Sequence, residues 1–401
     1  MSPLVVIFIT VFIDLIGFGI VIPLAPFYAE HFGASAFTVG MLQASFSLMQ
    51  FLFAPFWGRL SDRIGRRPVI LIGLFGSAAC YLLFGLAESL TVLFIARMLA
   101  GIAGANIATA QAYVADVTTQ ENRAKGMGMI GAAFGLGFIF GPAIGGVLSG
   151  FGPTVPLLFA AALSFVNFVA AWFVLPESRK PAAEVRARVS RFRALSEAVT
   201  LPGLPYLLLI FFLVTAAFSS FEATFALFGE KHFGFTPSNI GYVFAFVGIV
   251  LTVVQGGLVG RMARRFGEPR LVPFAILMLA AGLALLPVAR TIPMLLVACA
   301  LLAVGSGFNN PSISSLISRI SSADEQGGIL GVSQSVSSLA RIIGPFVGGA
   351  VYQRFGSTAP FGGASAVMLV AFVVSLFSIA RMRLAPNAAG HSTLQRGSTQ
   401  H

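Results

Sequence analysis

Residues 58–65 read Gly-Arg-Leu-Ser-Asp-Arg-Ile-Gly, and residues 260–267 read Gly-Arg-Met-Ala-Arg-Arg-Phe-Gly. Two further pairs of short segments recur in the same order at nearly the same spacing. They are Glu-His-Phe-Gly at 30–33 with Lys-His-Phe-Gly at 231–234, and Gly-Pro-Ala-Ile-Gly-Gly at 141–146 with Gly-Pro-Phe-Val-Gly-Gly at 344–349. Three ordered matches indicate that the chain is a duplicated unit, with one copy in each half.

The composition of the chain excludes a soluble protein. Of its 401 residues, 57% are hydrophobic and only 10% are charged, whereas roughly 25% are charged in ordinary soluble domains. The mean hydropathy of +0.91 also excludes a disordered chain. The only two cysteines, Cys80 and Cys299, lie in apolar runs and are expected to serve packing, so a disulfide scaffold is excluded. An integral membrane protein in contact with the lipid bilayer remains.

Apolar segments long enough to cross a bilayer repeat along the chain, since a spanning helix needs about 20 such residues. The first begins next to Met1 without a basic leader, so we expect a retained helix and not a cleaved signal peptide. The sequence predicts twelve spans, at 4–28, 38–57, 69–87, 90–115, 126–150, 154–175, 203–228, 237–260, 271–289, 292–318, 328–352 and 358–380.

Positive charge is distributed unevenly between the loops. Of the 25 Lys and Arg residues, 20 fall on the side that carries both termini and only 3 in the opposite loops. Cationic loops stay in the cytoplasm, so this bias predicts a multi-pass protein of the cell inner (plasma) membrane with both termini in the cytoplasm. It also explains the net charge without a nucleic-acid partner. We expect a first bundle at 1–175, a basic linker with an amphipathic helix at 176–202, a second bundle at 203–380 and a disordered tail at 381–401.

The loop after span 2 carries the most specific motif, which continues through Arg66-Arg67-Pro68. It resembles the signature of the major facilitator superfamily, and the chain is most similar to the tetracycline-efflux branch of its twelve-span drug/proton antiporters. The resemblance implies an all-α fold of two pseudo-symmetric six-helix bundles, with this loop at the inner gate. The alternative is charge that only sets topology. The implied gate residues are Gly58, Asp62, Arg63, Gly65, Arg66 and Arg67, with Asp116, Glu121 and Arg123 as partners.

Two further motifs match the same family. Arg97 precedes small residues in span 4 and is implied to support proton coupling, although a structural Arg bonded to backbone carbonyls is the alternative. The glycines of span 5 resemble the family's antiporter motif, which is associated with export; a helix-packing glycine ladder is the alternative. That motif comprises Gly128, Gly137, Gly141, Pro142, Gly145 and Gly146.

Two acids lie deep within apolar spans, Asp14 in span 1 and Glu222 in span 7. Burial favours the neutral acid, so either can take up and release protons as water access changes; the alternative is a carboxylate that only bonds a neighbouring helix. Arg341 is a third charge within a span, and its partner cannot be read from the sequence. The candidate substrate-binding residues are Asp14, Gln43, Gln50, Asn106, Gln111, Phe221, Glu222, Phe225, Gln255, Asn309, Asn310 and Gln334.

The chain also departs from tetracycline exporters, which carry acids where this sequence has Cys80 and, by alignment, about Leu279. Tetracycline is therefore not identified as the substrate. We expect a monomeric, proton-coupled exporter of amphipathic cationic or zwitterionic small molecules that is driven by the proton gradient without a cofactor. A proton symporter that imports a sugar or other metabolite and a non-transporting, receptor-like protein are the alternatives. Since neither a nucleotide-binding motif nor metal-ligand spacing of the four histidines occurs, we do not expect an enzyme.

Overall fold

Long helices account for almost all of the chain in the computed structural model, which describes residues 2–105, 107–119, 122–178, 203–320 and 326–384. These residues form no β-strand, so the predicted all-α class is confirmed. The helices are α1 (Pro3–His31), α2 (Ala36–Ile64), α3 (Arg66–Gly85), α4 (Leu90–Gly104), α5 (Ile107–Val117), α6 (Arg123–Ser149), α7 (Val155–Val174), α8 (Leu204–Phe233), α9 (Pro237–Val253), α10 (Val259–Phe266), α11 (Glu268–Leu285), α12 (Ile292–Ile320), α13 (Gln326–Phe355) and α14 (Ala359–Leu384).

These helices match the predicted spans. In the described part of the chain, eleven helical segments are long and apolar enough to cross a membrane. The fourth is α4 followed by α5, and the eighth is α9 followed by a π-helical turn at Val254–Leu258 and by α10. The predicted eleventh span is α13, whose 30 residues cover about 45 Å at 1.5 Å per residue.

Several helices extend past the apolar stretch that predicts them, because their polar ends are also helical. The helix α2 continues to Ile64 and stops at Gly65, whose φ of 102° is accessible mainly to glycine. The helix α14 runs to Leu384, so the first four residues of the predicted tail are helical. The predicted amphipathic helix of the linker (from residue 179) and the rest of the tail (385–401) lie outside the described residues.

The helices pack into two bundles that correspond to the two halves of the sequence. In the first bundle, α1 packs against α6 and α7, and α3 packs against α4 and α7. In the second bundle, α8 packs against α13 and α14, and α11 packs against α12 and α14. Contacts between the bundles are made chiefly by α2 with α13 and by α6 with α9. The second span of each repeat thus packs against the fifth span of the other repeat, as an approximate two-fold relation requires.

The two bundles are in close contact at one end of the molecule, whereas glycines of the interface helices at the other end have open space beside them. Near the loops at 31–36, 149–155, 233–237 and 355–359, Ser149 Oγ lies 2.8 Å from Ser238 Oγ across the bundles. The Cα atoms of Gly146 and Gly241 are also in close approach there. Toward the other end of the same interface helices, a Cβ added at Gly128, Gly131, Gly256 or Gly331 would meet no atom within 4 Å. We call these the closed end and the open end.

Candidate functional site

Arg97 is the best-enclosed charge of the first bundle. Its residue is 3% exposed, although it lies in the middle of an apolar helix. Its Nη2 donates to Oε1 of Gln43 on α2, and its guanidinium carbon lies 4.8 Å from the ring centroid of Phe46. Its Nε has no hydrogen-bond partner among the described residues. One N–H donor of this cation is therefore unpaired within the described residues.

Asp14 is linked to Arg97 through Tyr81 on α3. Its Oδ1 is buried without a hydrogen-bond partner in the described part of the chain, while Ser77 is within hydrogen-bonding reach of the carboxyl group. Tyr81, one turn further along α3, interacts electrostatically with both Asp14 and Arg97. It fits there because α1 has a glycine at Gly17, where a Cβ would lie 2.8 Å from the Tyr81 ring. The structure thus joins four helices around one acid and one base.

The second bundle contains a corresponding pair that the sequence left open. Arg341 on α13 and Glu222 on α8 interact electrostatically with each other. The two helices approach closely because α13 has glycines at the contact. A methyl group at Gly344 would overlap the carbonyl oxygen of Ala216, and one at Gly348 would overlap the Ser220 hydroxyl. Each bundle therefore carries one acid and one arginine inside its spans.

Phe221 and Phe225 do not line the site with Glu222, contrary to the expectation that they contact substrate. Their residues are 1% and 0% exposed and belong to the core of the second bundle, where Phe225 meets Phe244 edge to face. Residues four apart share one face of a helix, whereas adjacent residues point in different directions. The two rings therefore face the core, and no substrate can contact them in this conformation.

The remaining polar candidates fall into three groups. Gln50 Nε2 donates to the carbonyl oxygen of Gly104 at 3.1 Å and thus holds α2 to α4. Both amide atoms of Asn309 are buried with no partner among the described residues. Gln111, Asn310 and Gln334 are exposed, and Gln334 also lines a space of about 100 Å³. Gln255 lies in the π-helical turn, and Asn106 lies outside the described residues.

The glycines of α6 pack this helix between the bundles. A Cβ at Gly137 would lie 2.6 Å from Cβ of Leu15, and one at Gly141 would lie 2.6 Å from Cα of Gly19. Gly145 faces Ile20 in the same way, whereas Gly146 faces Gly241 of the other bundle. Pro142 lies inside α6 between these contacts. Only Gly128, toward the open end, touches nothing, so the motif serves both packing within the bundle and contact between bundles.

The loop between α2 and α3 is held by buried charge. Arg66 is 7% exposed; its Nη1 lies 2.8 Å from Asp62 Oδ1 and 2.6 Å from Ser61 Oγ, and its Nε lies 3.0 Å from Asp116 Oδ2. Gly58 is buried, whereas Arg63 is exposed. The structure thus brings Asp62, Arg66 and Asp116 together as the resemblance implied. Glu121 and the side chain of Arg123 lie outside the described part of the chain.

Glu177 contacts the loop between α2 and α3, a contact that the sequence reasoning missed. Its two carboxylate oxygens accept hydrogen bonds from the backbone N–H groups of Arg66, at 2.9 Å, and Arg67, at 3.1 Å. Arg67 also lies over the ring of Trp172, with 5.9 Å to its centroid. The acid lies 110 residues away in sequence, in the Pro-Glu-Ser segment after α7. A carboxylate at the end of an apolar span was the available signal, but its partner could not be inferred.

Comparisons with known proteins agree with this architecture. The profile of the Major Facilitator Superfamily matches residues 7–259 and 233–397. The chain is 35% identical to the tetracycline resistance protein, class C, of Escherichia coli over 89% of this chain and 91% of that protein. It is 32% identical to multidrug resistance protein 2 of Bacillus subtilis (strain 168), over 90% and 91%.

Solved structures have the same fold. The human organic anion transporter MFSD10 (TETRAN) is 27% identical, with a TM-score of 0.72 over 93% of this chain and 99% of that one. A bacterial homologue of the human lysosomal transporter Spinster, in its inward-facing and occupied conformation, has a TM-score of 0.74 at 15% identity, over 95% of each chain. That second likeness concerns the fold alone.

Proposed function

We propose that this chain, which belongs to the Major Facilitator Superfamily, exports amphipathic small molecules across the cell membrane in exchange for protons. It is a multi-pass membrane transporter and not an enzyme. The proposed substrates are cationic or zwitterionic, the proposed energy source is the proton gradient without a cofactor, and the proposed unit is a monomer. The positive charge of the loops supports an orientation in which both termini and the open end face the cytoplasm.

One observation carries the proposal. The bundles touch at the closed end, glycines of the interface helices have open space beside them at the open end, and each bundle carries an acid and an arginine within its spans. A site between two repeats becomes accessible from either side in turn when one bundle rocks against the other. This conformation would then be the inward-facing state, in which substrate enters from the cytoplasm.

Proton coupling is assigned to Asp14 and Glu222, with Arg97 as a partner. Asp14 Oδ1 and Arg97 Nε both lack hydrogen-bond partners among the described residues. An ionised carboxylate attracts a cationic group of the substrate, and a proton taken up from the outside removes this attraction and releases the substrate. Loss of the proton to the cytoplasm restores the carboxylate. Arg341 holds a second charge beside Glu222, so both repeats can respond to a proton.

Export rather than import is supported by the glycine and proline pattern of α6, which resembles the antiporter motif of exporters. Its glycines bring it against α1 near Asp14 and against α9 of the other bundle. A movement between the bundles is therefore transmitted directly to the helix that carries the acid. The relatives named for multidrug and tetracycline resistance also support efflux.

The test is transport in proteoliposomes with an imposed pH gradient and ethidium, a fluorescent amphipathic cation, as the probe. We expect uphill ethidium transport toward the acidic side, coupled to proton movement. Asp14→Asn combined with Glu222→Gln should abolish uphill transport and weaken ethidium binding, since the amides keep the shape of the acids but not their charge. Glu88→Gln, an exposed acid in the α3–α4 turn, is the matched control.

Two results would refute the assignment. Uphill transport by the double variant would exclude these acids as the coupling groups. Accumulation of a metabolite with the proton flux, and none against it, would instead indicate the symport alternative.

A further inference from the structure

Two acids from opposite bundles meet at the closed end. Glu30 lies in the last turn of α1, and Glu230 lies in the last turn of α8. Their carboxyl groups are within hydrogen-bonding distance of each other. Neither acid has a role in the transport site proposed above, which lies deeper in the spans.

The helices around this pair are packed across the bundle boundary. Leu227 of α8 belongs to the apolar cluster of the first bundle, together with Ala25 and Ala29 of α1. Phe27 of α1 in turn packs against the cluster of the second bundle, and Tyr352 of α13 packs against both clusters. The two carboxyl groups are therefore held together by the contact that closes this end.

The chemistry of such a pair depends on one proton. Two ionised carboxylates at this separation repel each other, whereas a single shared proton turns the repulsion into a hydrogen bond. Glu30 and Glu230 are both exposed, so the pair exchanges protons directly with the water at the closed end.

The other titratable groups at this end form no ion pair with Glu30 or Glu230 within the described residues. Tyr352 interacts with both acids, and His232 is bonded to the Ser357 hydroxyl at 2.8 Å. His31 and Lys231 are exposed and follow the two acids in sequence. Arg354 of α13 lies over the Phe355 ring, at 5.8 Å from its centroid. Within the described residues, no ion pair joins either acid to a cation, so proton sharing is the available way to neutralise the pair.

We propose that Glu30 and Glu230 share one proton and form a latch that holds the closed end shut. The latch rests on the alternating access proposed above but not on the identity of the substrate or the direction of its transport. An acidic exterior protonates the pair and favours the inward-facing state; a neutral or alkaline exterior leaves two carboxylates whose repulsion opens this end. For an antiporter, closing the outside after substrate release then takes up a proton where protons are abundant.

The experiment measures the closed end directly, by pulsed electron paramagnetic resonance on purified protein in lipid nanodiscs. Spin labels are attached at Phe151→Cys and Phe355→Cys, which are 76% and 69% exposed. Phe151 lies in the loop between α6 and α7 of the first bundle, and Phe355 is the last residue of α13 in the second. The native Cys80 and Cys299 are buried and remain unlabelled. Between pH 5 and pH 8, we expect the ratio of short to long distances to fall about tenfold, an ordinary size for two coupled equilibria.

Substitutions separate a latch from a general pH effect. Glu30→Gln with Glu230→Gln should keep the closed end shut at both pH values, since amides bond each other without a proton. Glu30→Lys should do the same through an ion pair with Glu230, and Glu30→Lys with Glu230→Lys should open it. The matched control Glu88→Gln removes a carboxylate at the same end and should leave the wild-type response intact.

The latch is overturned if the double amide variant keeps the pH response of the wild type, or if the wild type shows no response. These distance measurements involve no transported substrate. Failure of ethidium transport would therefore leave the latch testable, and failure of the latch would leave the transport assignment standing.

Discussion

The gate loops of the two repeats contain the same ion pair with its charges reversed. In the first bundle, Arg66 at the start of α3 bonds Asp116 on α5 at 3.0 Å. In the second, Glu268 at the start of α11 bonds Arg319 on α12 at 2.7 Å. The spacings of 202 and 203 residues between equivalent positions are those of the sequence repeat. The duplicated fold has therefore kept the bridge and exchanged its signs.

Among the described residues, only the first loop has a carboxylate from another segment, Glu177, bonded to the start of its helix, a contact that we call the clamp. The reversal of the ion pair explains this difference. Helix N-termini present free N–H groups and favour negative charge. In α11 the acid Glu268 is itself the first helical residue, so the bridge supplies this charge. In α3 the first residue is the cation Arg66, and the negative charge comes instead from Glu177, which accepts the N–H groups of residues 66 and 67. Reversing the bridge thus moved the helix-capping role to another segment.

The largest difference between the loops should appear when each arginine is removed. Arg66→Ala leaves Asp62 and Asp116 beside each other in a partly buried site, and breaking such a pair costs about 3–5 kcal/mol. We expect a clear fall in the melting temperature in detergent and loss of transport. Arg63→Ala, an exposed neighbour in the same loop, is the control and should leave the melting temperature unchanged. Equal stability of the two variants would show that the Arg66 bridge is not structural.

Particular residues show how far the sequence alone could lead. The twelve spans follow from hydropathy, because each span is a local pattern, and the gate motif is implied by the family resemblance of a short local segment. The partners of Asp14, Arg341 and the α3 N-terminus could not be predicted, because a single sequence contains no distances between helices. Glu177 and Tyr81 come from segments that no local pattern links to the site.

The placement of aromatic side chains failed for a different reason. Phe221 and Phe225 are next to Glu222 in sequence but lie on another face of α8, within the core. Nearness along a helix is not nearness in direction. The π-helical turn after α9 was also unpredicted, since the sequence predicts one continuous span there.

A smaller effect is expected from the clamp. Glu177→Ala leaves two N–H groups at the start of α3 without their acceptor, and loss of a helix cap costs about 0.5–2 kcal/mol. Glu177→Asp keeps the charge but shortens the reach, and should recover part of the loss in melting temperature. If the alanine variant melts with the wild type while Arg66→Ala does not, the clamp is dispensable and the α3 N-terminus is satisfied by water.

The smallest effect should come from giving the second loop the charge order of the first. In Glu268→Arg with Arg319→Glu the ion pair can still form. Because 65% of the Arg319 side chain is exposed, this pair contributes only about 0–1 kcal/mol to stability. What changes is the charge at the start of α11, where a cation now opposes the helix dipole at a cost of about 0.3–1 kcal/mol. The single variant Glu268→Arg adds repulsion from Arg319 to that cost and should melt below the double variant. We expect the double variant to melt slightly below the wild type. The remaining difference in melting temperature would measure how much a negative charge at the helix start stabilises the fold, the charge that Glu177 supplies in the first bundle and Glu268 in the second. Full recovery would instead mean that the helix terminus is indifferent to the sign of the bridge, and that the clamp in the first loop exists for the gate and not for the helix.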